Sequence, residues 1–218
     1  MTLPKHPPVL PDRVARIGMV ARWRPVHLGH TPVLRALCRR ADRALIGIGS
    51  ANRYDLRNPF TLDETLAMLR LALADVDNYE LVPIPDLDDG PRWRAMIAEQ
   101  FGPLDIFVTE NPYVARLMVD TYTVMRPVWL IHDDEKVPID GAMVRRAMAQ
   151  GDGWQELVPP AIADYIVAQQ LDARFRREFG LQTLALDTYV KPRRGSEVAG
   201  EAESSDRVDG ESQHIVNR

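Results

Sequence analysis

Short apolar runs of β type alternate with segments of helical periodicity along most of this chain. The first run, Val14–Val20, is followed by His30–Ala41, in which apolar residues recur at helical spacing. Further strand candidates are Ala44–Ile48, Tyr79–Pro83, Leu104–Val108 and Val128–Ile131, and further helix candidates are Trp93–Phe101, Pro112–Thr121, Gly141–Ala149 and Ala161–Phe179. Such alternation, with nearly continuous apolar strands, is typical of a parallel sheet with helices on both faces. The sequence therefore predicts an α/β fold, in which ligands bind at the carboxyl ends of the strands.

A capping box marks the start of one more helix. Glu64 follows Thr61 by three residues, so that each side chain can accept a hydrogen bond from the other residue's backbone N–H group. The apolar face of this helix is predicted to consist of Leu62, Leu66, Leu69 and Leu73.

Composition changes at both ends of the 218 residues. The prolines in residues 1–13 predict an extended leader, because proline offers no backbone N–H group for regular hydrogen bonding. From Lys191 onward the chain is polar and lacks Phe, Trp and Tyr, which predicts a tail without fixed structure in residues 191–218. The folded domain is therefore expected to span residues 14–190.

Charge and cysteine content narrow the functional classes. The 27 basic and 31 acidic residues give a net charge of -4. This balance provides no global electrostatic reason to bind nucleic acid or an anionic membrane, although it leaves room for a local basic pocket. The single cysteine, Cys38, cannot form an intramolecular disulfide, and the sequence shows neither a signal peptide pattern nor an apolar run of spanning length. We therefore expect a cytoplasmic location.

A His-x-Gly-His motif lies between the first predicted strand and the first predicted helix. Gly29 allows close backbone packing, and His27 and His30 project beside the positive end of the helix dipole. Imidazole N–H groups and free backbone N–H groups at a helix start can both bind phosphate oxygens, so the motif predicts a phosphate site. Two alternatives stay open: a metal-binding histidine pair, which needs further ligands, and ordinary capping or surface histidines.

The stretch Arg22–His30 resembles the nucleotidylyltransferase superfamily, whose members carry a His-x-Gly-His motif after the first strand. More narrowly, five ordered segments resemble the archaeal-type nicotinamide-nucleotide adenylyltransferases. They are Arg22–His30, Gly47–Asn52 with Asn58–Thr61, Val82–Asp86 with Trp93, Val108–Asn111, and Ile139–Met148 with Trp154 and Leu157–Pro159. The resemblance implies the Rossmann-like nucleotidylyltransferase fold. It also implies adenylyl transfer from ATP to nicotinamide mononucleotide, by in-line attack without a covalent intermediate, giving NAD and pyrophosphate.

On the ATP side, the resemblance implies catalytic roles for His27, His30 and Arg145. The implied ATP-binding residues are Arg22, His27, His30, Asn111, Asp140 and Arg145. Arg22 and Arg145 can neutralise charge at opposite ends of the triphosphate, which nucleotidyl transfer requires. The alternative for Arg145, together with Arg146, is a solvated helix face. Mg²⁺ is expected to bridge phosphate oxygens, held largely by substrate and water rather than by protein ligands.

On the acceptor side, three residues are candidates. Trp93 offers an electron-rich face for a cationic pyridinium ring, or it is a partly buried core aromatic. Asp86 can accept a hydrogen bond from a carboxamide, or it caps the next loop. Arg53 is a candidate partner for the acceptor's monophosphate, with simple surface solvation as its alternative.

The chain departs from the family pattern at two places. The family usually has Gly-Arg-Phe-Gln-Pro where this chain has Ala21–Pro25, with Trp23 and Arg24 as the larger and more positive substitutes. In the carboxy-terminal signature, Asp140 and Ala142 replace hydroxyl residues that contact the nucleotide phosphates in the family. Asp140 is a good helix N-cap, but its carboxylate would repel a triphosphate unless a metal or Arg24 intervened. Each lost hydrogen bond to a charged group costs roughly 1.5–3 kcal/mol.

Two other functions follow from these departures. One is adenylyl or cytidylyl transfer to a different phosphorylated small molecule. The other is a non-catalytic nucleotide sensor that binds ATP or NAD without turnover. The expected partners are small molecules, with neither nucleic acid nor membrane among them. The resembled family tends to form homo-oligomers, and no stretch of this sequence identifies an interface.

Overall fold

The computed structural model describes residues 11–190, with side chains as far as residue 186. Within them, five parallel strands form one sheet in the order β3-β2-β1-β4-β5. The strands are β1 (Val14–Ala21), β2 (Ala41–Gly49), β3 (Tyr79–Ile84), β4 (Ile106–Val108) and β5 (Val124–Met125). The predicted parallel α/β fold is confirmed.

Eight α-helices are described, together with short 3-10 turns. They are α1 (Thr31–Arg40), α2 (Leu62–Ala72), α3 (Gly90–Phe101), α4 (Pro112–Met118), α5 (Gly141–Gln150), α6 (Pro160–Ala168), α7 (Leu171–Phe175) and α8 (Leu181–Val190). A π-helical turn, Arg176–Gly180, connects α7 to α8. None of the helices within residues 11–190 has the length and apolar character needed to span a membrane.

Apolar clusters lie on both faces of the sheet. The larger cluster includes Ile17 and Ile46 of the central strands and Leu34 of α1. The smaller one packs Phe101 of α3 against Phe107 of β4. Because side chains alternate between the two faces of a strand, each strand contributes to both clusters and the sheet is buried between helices.

The capping box at α2 is confirmed. The N–H group of Thr61 donates to the Glu64 carboxylate at 2.9 Å, and the N–H group of Glu64 donates to the Thr61 hydroxyl at 3.3 Å. The predicted apolar face is shifted, however. Leu69 and Leu73 are buried, whereas Leu62 and Leu66 are only partly buried at the edge of the core.

The predicted strand Val128–Ile131 is wrong. The fifth strand is Val124–Met125, and the chain then forms a 3-10 turn at Pro127–Trp129. β5 pairs with β4 at residues Phe107 and Val108, and Pro127 lacks the N–H group with which a longer ladder would continue.

The predicted single helix Ala161–Phe179 is interrupted. Helix α6 ends at Ala168, and Gln170 takes a positive φ of 54°, which breaks the helical path before α7. Of the predicted ends, residues 1–10 of the leader and the tail 191–218 lie outside the described residues.

Strand order places the crevice of this fold. The chain adds β2 and β3 on one side of β1, whereas β4 and β5 lie on the other side. The crossovers therefore diverge between β1 and β4, and this is the point where open parallel sheets bind ligands at the carboxyl ends of their strands.

Candidate active site

A cleft of about 590 Å³ opens at the carboxyl ends of β1 and β4. Its walls come from four places: the His-x-Gly-His turn, the loop after β2, the loops before α3 and α4, and the start of α5. Nine of the residues that line it are Arg22, Arg24, His27, His30, Arg57, Asp86, Trp93, Asn111 and Arg145. Asp140 also lines it. All the predicted site residues except Arg53 therefore border one cavity.

The two histidines of the motif are in direct contact. Their rings stack with centroids 3.5 Å apart, and the Trp23 ring meets His30 edge to face at 4.8 Å. Trp23 is itself fixed because its indole N–H donates to the carbonyl oxygen of Gly47 at 2.9 Å. The Nδ1 atoms of His27 and His30 are buried and have no hydrogen-bond partner among residues 11–190. These are unused polar groups at the floor of the cleft.

Burial determines the charge of this pair. It lowers the pKa of His27 to about 4, against a rise caused by Asp140 and with a smaller lowering by Arg145. Burial also lowers the pKa of His30 well below its ordinary value, and His27 adds to that effect. Both imidazoles are therefore neutral near pH 7, and each carries one N–H group that can donate to an anion.

Gly29 brings the histidine turn against the segment before α5. A Cβ atom at this position would lie 2.2 Å from the carbonyl oxygen of Ile139 and 3.1 Å from that of Val137. A side chain would therefore push residues 137–139 away from the motif. Glycine at position 29 is what lets the amino end of α5 approach the histidines.

Asp140 and Arg145 occupy the first turns of α5. One carboxylate oxygen of Asp140 accepts hydrogen bonds from the N–H groups of Ala142 and Met143, at 2.8 and 2.9 Å. The Arg145 guanidinium donates to the carbonyl oxygen of Arg24 at 3.0 Å and is half-buried. Asp140 is thus an N-cap, as its position predicts.

The guanidinium groups of Arg22, Arg57 and Arg145 bring positive charge to the cleft. Burial lowers the pKa of Arg145, and repulsion from Arg22 and Arg57 lowers it further, whereas Asp140 opposes the shift. Like charges gathered in one concavity raise its affinity for an anion. Within the described residues, no salt bridge pairs any of these three arginines with a carboxylate.

Arg24 does not neutralise Asp140. Its guanidinium instead turns toward the loop after β2, where it donates to the carbonyl oxygen of Ser50 at 2.9 Å and to the Thr65 hydroxyl at 3.2 Å. Only 2% of Arg24 is exposed. Its Nη2 atom is buried without a hydrogen-bond partner in the described part of the chain.

The wall opposite α5 carries Trp93 and Asp86. Asp86 is held by a reciprocal pair with Asn52: its N–H group donates to the Asn52 side chain at 2.8 Å, and its carbonyl oxygen accepts at 3.0 Å. Trp93, in the first turn of α3, is half-buried. Both also border an adjoining pocket of about 390 Å³ that contains Tyr113.

Arg53 does not border the cleft. Its guanidinium pairs with Asp88 at 2.7 Å and lies 3.7 Å from Asp86, so it ties the loop after β2 to the loop after β3. Arg57, four residues on, lines the cleft instead. The signal that points to Arg57 is the Asp55–Asn58 turn: the Asp55 carboxylate accepts from the N–H groups of Arg57 and Asn58 and fixes the chain there.

Asn111 lies at the other edge of the cleft. Its side-chain oxygen accepts from the N–H groups of Tyr113 and Val114, which makes it the N-cap of α4. The neighbouring Glu110 also lines the cleft and forms an ion pair with Arg126. Sequence reasoning did not identify Glu110.

The metal-pair alternative for the histidines lacks ligands. Within residues 11–190, no group of three or more His, Cys, Asp and Glu side chains is placed to hold a metal ion. The arrangement can instead hold a polyanion, because neutral imidazoles, arginines without a carboxylate partner in the described residues and a helix start border one space.

Comparison with known proteins gives the family. Residues 22–158 match the model of the cytidylyltransferase-like family. The nicotinamide-nucleotide adenylyltransferase of Methanoculleus marisnigri is 33% identical over 149 residues, which cover 67% of this chain and 87% of that protein. The nicotinamide-nucleotide adenylyltransferase of Thermococcus kodakarensis is 32% identical over 160 residues, which cover 70% of this chain and 82% of that protein.

A solved structure shares the fold. It is a bifunctional NMN adenylyltransferase/ADP ribose pyrophosphatase from Francisella tularensis, complexed with AMP and a manganese ion. The TM-score is 0.63 at 14% identity, with 82% of this chain covered and 56% of that chain. At this identity the similarity shows the nucleotidylyltransferase fold alone.

Proposed function

Because this chain belongs to the cytidylyltransferase-like family and, within it, to the nicotinamide-nucleotide adenylyltransferases, we propose that it synthesises NAD from ATP and nicotinamide mononucleotide. The observation that carries this proposal is the cleft itself. Two neutral histidines line the same space of about 590 Å³ as Arg22, Arg57 and Arg145, which form no salt bridge with a carboxylate within residues 11–190. Such a site suits the phosphates of two nucleotides.

The reaction is a single in-line displacement. An oxygen of the acceptor's monophosphate attacks the α-phosphorus of ATP, and a new P–O bond forms as the bond to the β-phosphate oxygen breaks. Pyrophosphate leaves with that electron pair. His27 and His30 donate hydrogen bonds to the reacting phosphates. In the transition state the negative charge of these phosphates is redistributed over their oxygens and toward the leaving pyrophosphate, and the donated hydrogen bonds stabilise it there. No covalent bond to the protein is formed.

On the ATP side, Arg22 and Arg145 neutralise the β- and γ-phosphates. Arg145 is held in place because it donates to the carbonyl oxygen of Arg24, so little side-chain entropy is lost when it binds. Asp140 caps α5 and accepts from the N–H groups of Ala142 and Met143, so its role on this side is to order the helix that carries Arg145. Asn111 borders the ATP side from α4.

On the acceptor side, Trp93 stacks on the pyridinium ring and Asp86 accepts from its carboxamide. We assign the acceptor's monophosphate to Arg57 rather than to Arg53. Arg57 borders the cleft, whereas Arg53 is paired with Asp88 outside it.

Mg²⁺ is proposed as the metal that accompanies ATP. The carboxylates that line the cleft, Asp86, Glu110 and Asp140, do not form a three-ligand cluster. This donor set fits an ion held mainly by phosphate oxygens and water, as is usual for Mg²⁺. When bound, the ion supplies further neutralisation of phosphate charge.

We further propose a cytoplasmic, homo-oligomeric enzyme. The location agrees with a single cysteine that is buried and free, as expected where thiols stay reduced. Fractionation of cells and light scattering of the purified protein test the two statements.

The substrate assignment is tested with a panel of pairs. Purified protein is incubated with Mg²⁺, with ATP or CTP, and with nicotinamide mononucleotide or another phosphorylated acceptor. We expect NAD only from ATP with the mononucleotide. A different productive pair would change the substrate, and binding of ATP or NAD without pyrophosphate release in any mixture would identify a sensor instead.

A further inference from the structure

The part of the loop that surrounds Arg57 has few contacts of its own. At the start of the loop, Asn52 and Arg53 are tied to Asp86 and Asp88 of the loop after β3, and the Arg53 N–H group donates to the Ser50 carbonyl oxygen at 2.9 Å. Tyr54, Asp55 and Arg57 are exposed, and around Arg57 the Asp55–Asn58 turn supplies the order that comes from within the loop. A long arginine on an exposed loop needs external support if its guanidinium is to stay in one place.

From Tyr54 onward, that support comes from the C-terminal helices. The Tyr54 hydroxyl donates to the Glu178 carboxylate at 2.5 Å, and the Tyr54 ring packs edge to face on Phe179 with centroids 5.5 Å apart. The guanidinium of Arg174 lies 5.7 Å from the centre of the same ring. Three side chains thus hold Tyr54, three residues before Arg57.

The other end of the loop is fixed by the same arginine. Arg174 makes a two-pronged bridge to the Glu64 carboxylate, at 2.5 and 2.7 Å, and donates to the carbonyl oxygen of Pro59 at 3.2 Å. Only 22% of the Arg174 side chain and 15% of the Glu64 side chain are exposed. A two-pronged bridge with this little solvent around it is rigid and is screened less than a surface pair.

The π-helical turn explains how these side chains reach one loop. Arg176–Gly180 has a wider turn than an α-helix, and both Glu178 and Phe179 lie in it and contact Tyr54. Single π-turns within helices are frequent at functional sites. These residues lie beyond the span 22–158 that matches the family model.

We infer that Arg174, Glu178 and Phe179 form a clamp that positions Arg57 for the acceptor's monophosphate. The clamp residues are positioning residues: Arg174 and Glu178 contact the loop on both sides of Arg57 and do not border the cleft. This inference rests on the proposed function, in which Arg57 binds that phosphate. Its consequence is that a segment remote from the reacting atoms affects the KM for the acceptor far more than the KM for ATP.

The experiment compares Arg174→Gln with a matched control, Arg176→Gln. Both substitutions remove one arginine from the same segment and break one ion pair, but Arg176 pairs with Asp172 of α7 and not with the loop. Tyr54→Phe is a milder third variant, which removes only the hydroxyl group that donates a hydrogen bond to Glu178. Amide hydrogen exchange of residues 53–58 is measured without ligands, and KM and kcat are measured for both substrates.

We expect faster exchange at residues 53–58 in Arg174→Gln, together with a rise of roughly tenfold or more in the KM for nicotinamide mononucleotide. The KM for ATP should change much less, since Arg22 and Arg145 stay in place and sense Arg57 only through its charge. Tyr54→Phe should move the same two quantities less, and Arg176→Gln should move neither. In the double variant that carries both Arg174→Gln and Arg57→Gln, the KM for nicotinamide mononucleotide should be no higher than in Arg57→Gln alone.

Two results would overturn the clamp. One is unchanged exchange and unchanged acceptor KM in both Arg174→Gln and Tyr54→Phe. The other is a double variant whose KM rises by the product of the two single effects, because Arg174 would then act independently of Arg57. If the wild-type protein makes no NAD, the proposed function is contradicted instead. The hydrogen-exchange data would still show whether the order of residues 53–58 depends on the clamp.

Discussion

His27 and His30 stack with their ring centroids 3.5 Å apart, and the Nδ1 atom of each is buried without a partner in the described residues. Two rings this close cannot readily carry charge together, because the protonated forms would repel each other in a poorly solvated place. The pair is therefore neutral and can donate hydrogen bonds to a bound anion.

Stability should depend on pH through His27. Its pKa is about 4 in the folded protein and near 6.5 when unfolded, so the unfolded chain binds more protons between these values. Lowering the pH from 6.5 to 4 should thus remove about 3 kcal/mol of unfolding free energy through this residue. Urea unfolding of wild type and His27→Gln at several pH values measures the difference. Parallel pH profiles of the two proteins would contradict the buried neutral histidine.

Gly29→Ala should damage both fold and activity. The new Cβ atom would lie 2.2 Å from the carbonyl oxygen of Ile139, which belongs to backbone and cannot rotate away. We expect a loss of about 1–3 kcal/mol in unfolding free energy and roughly 100-fold in kcat/KM, as α5 moves from the histidines. Gly180→Ala is the control, since among residues 11–190 the nearest atom to its new Cβ would be the Arg176 Cβ, in ordinary contact at 3.8 Å. Equal behaviour of the two variants would refute the close-approach explanation.

Two effects of the Asp140 side chain, the helix cap and the negative charge, can be measured separately. Asp140→Ser keeps an N-cap oxygen and removes the carboxylate, so stability should stay nearly constant while the Kd for ATP falls by up to roughly fivefold. Asp140→Ala loses the cap and should cost about 1 kcal/mol. Calorimetric titration with ATP and thermal unfolding measure both effects. Weaker ATP binding in Asp140→Ser would mean that the carboxylate assists the nucleotide.

Trp93→Ala should weaken acceptor binding selectively. Loss of stacking on the pyridinium ring should raise the KM for nicotinamide mononucleotide by roughly tenfold, with little change for ATP. Tyr113→Ala, in the adjoining pocket, is the comparison, because Tyr113 does not border the main cleft. A larger effect at Tyr113 than at Trp93 would place the ring in the adjoining pocket instead.

Local patterns predicted the frame of the molecule well. The apolar run Val14–Val20 and the His27–His30 motif predicted a strand, a turn and a helix from residues that are neighbours in sequence, and the structure contains all three. The capping box at Thr61 is equally local. These features survive folding because the backbone geometry they require is set within a few residues.

Features that depend on distant contacts were beyond sequence reasoning. Val128–Ile131 is as apolar as a strand, but β4 pairs with Val124 and Met125 instead. Arg53 and Arg57 carry the same charge in one loop, and the folded structure distinguishes them: Arg53 pairs with Asp88 of another loop, whereas Arg57 borders the cleft. The role of Arg174 depends on Glu64, 110 residues earlier in the chain.

The most direct test of the account is the rate at which NAD and pyrophosphate appear together. Purified wild-type protein with ATP, Mg²⁺ and nicotinamide mononucleotide should release the two products in equal amounts, and folded His30→Ala should be roughly 100-fold slower. Circular dichroism verifies the fold of both proteins. Folded wild-type protein that forms no NAD, or an His30→Ala variant as fast as wild type, would contradict it.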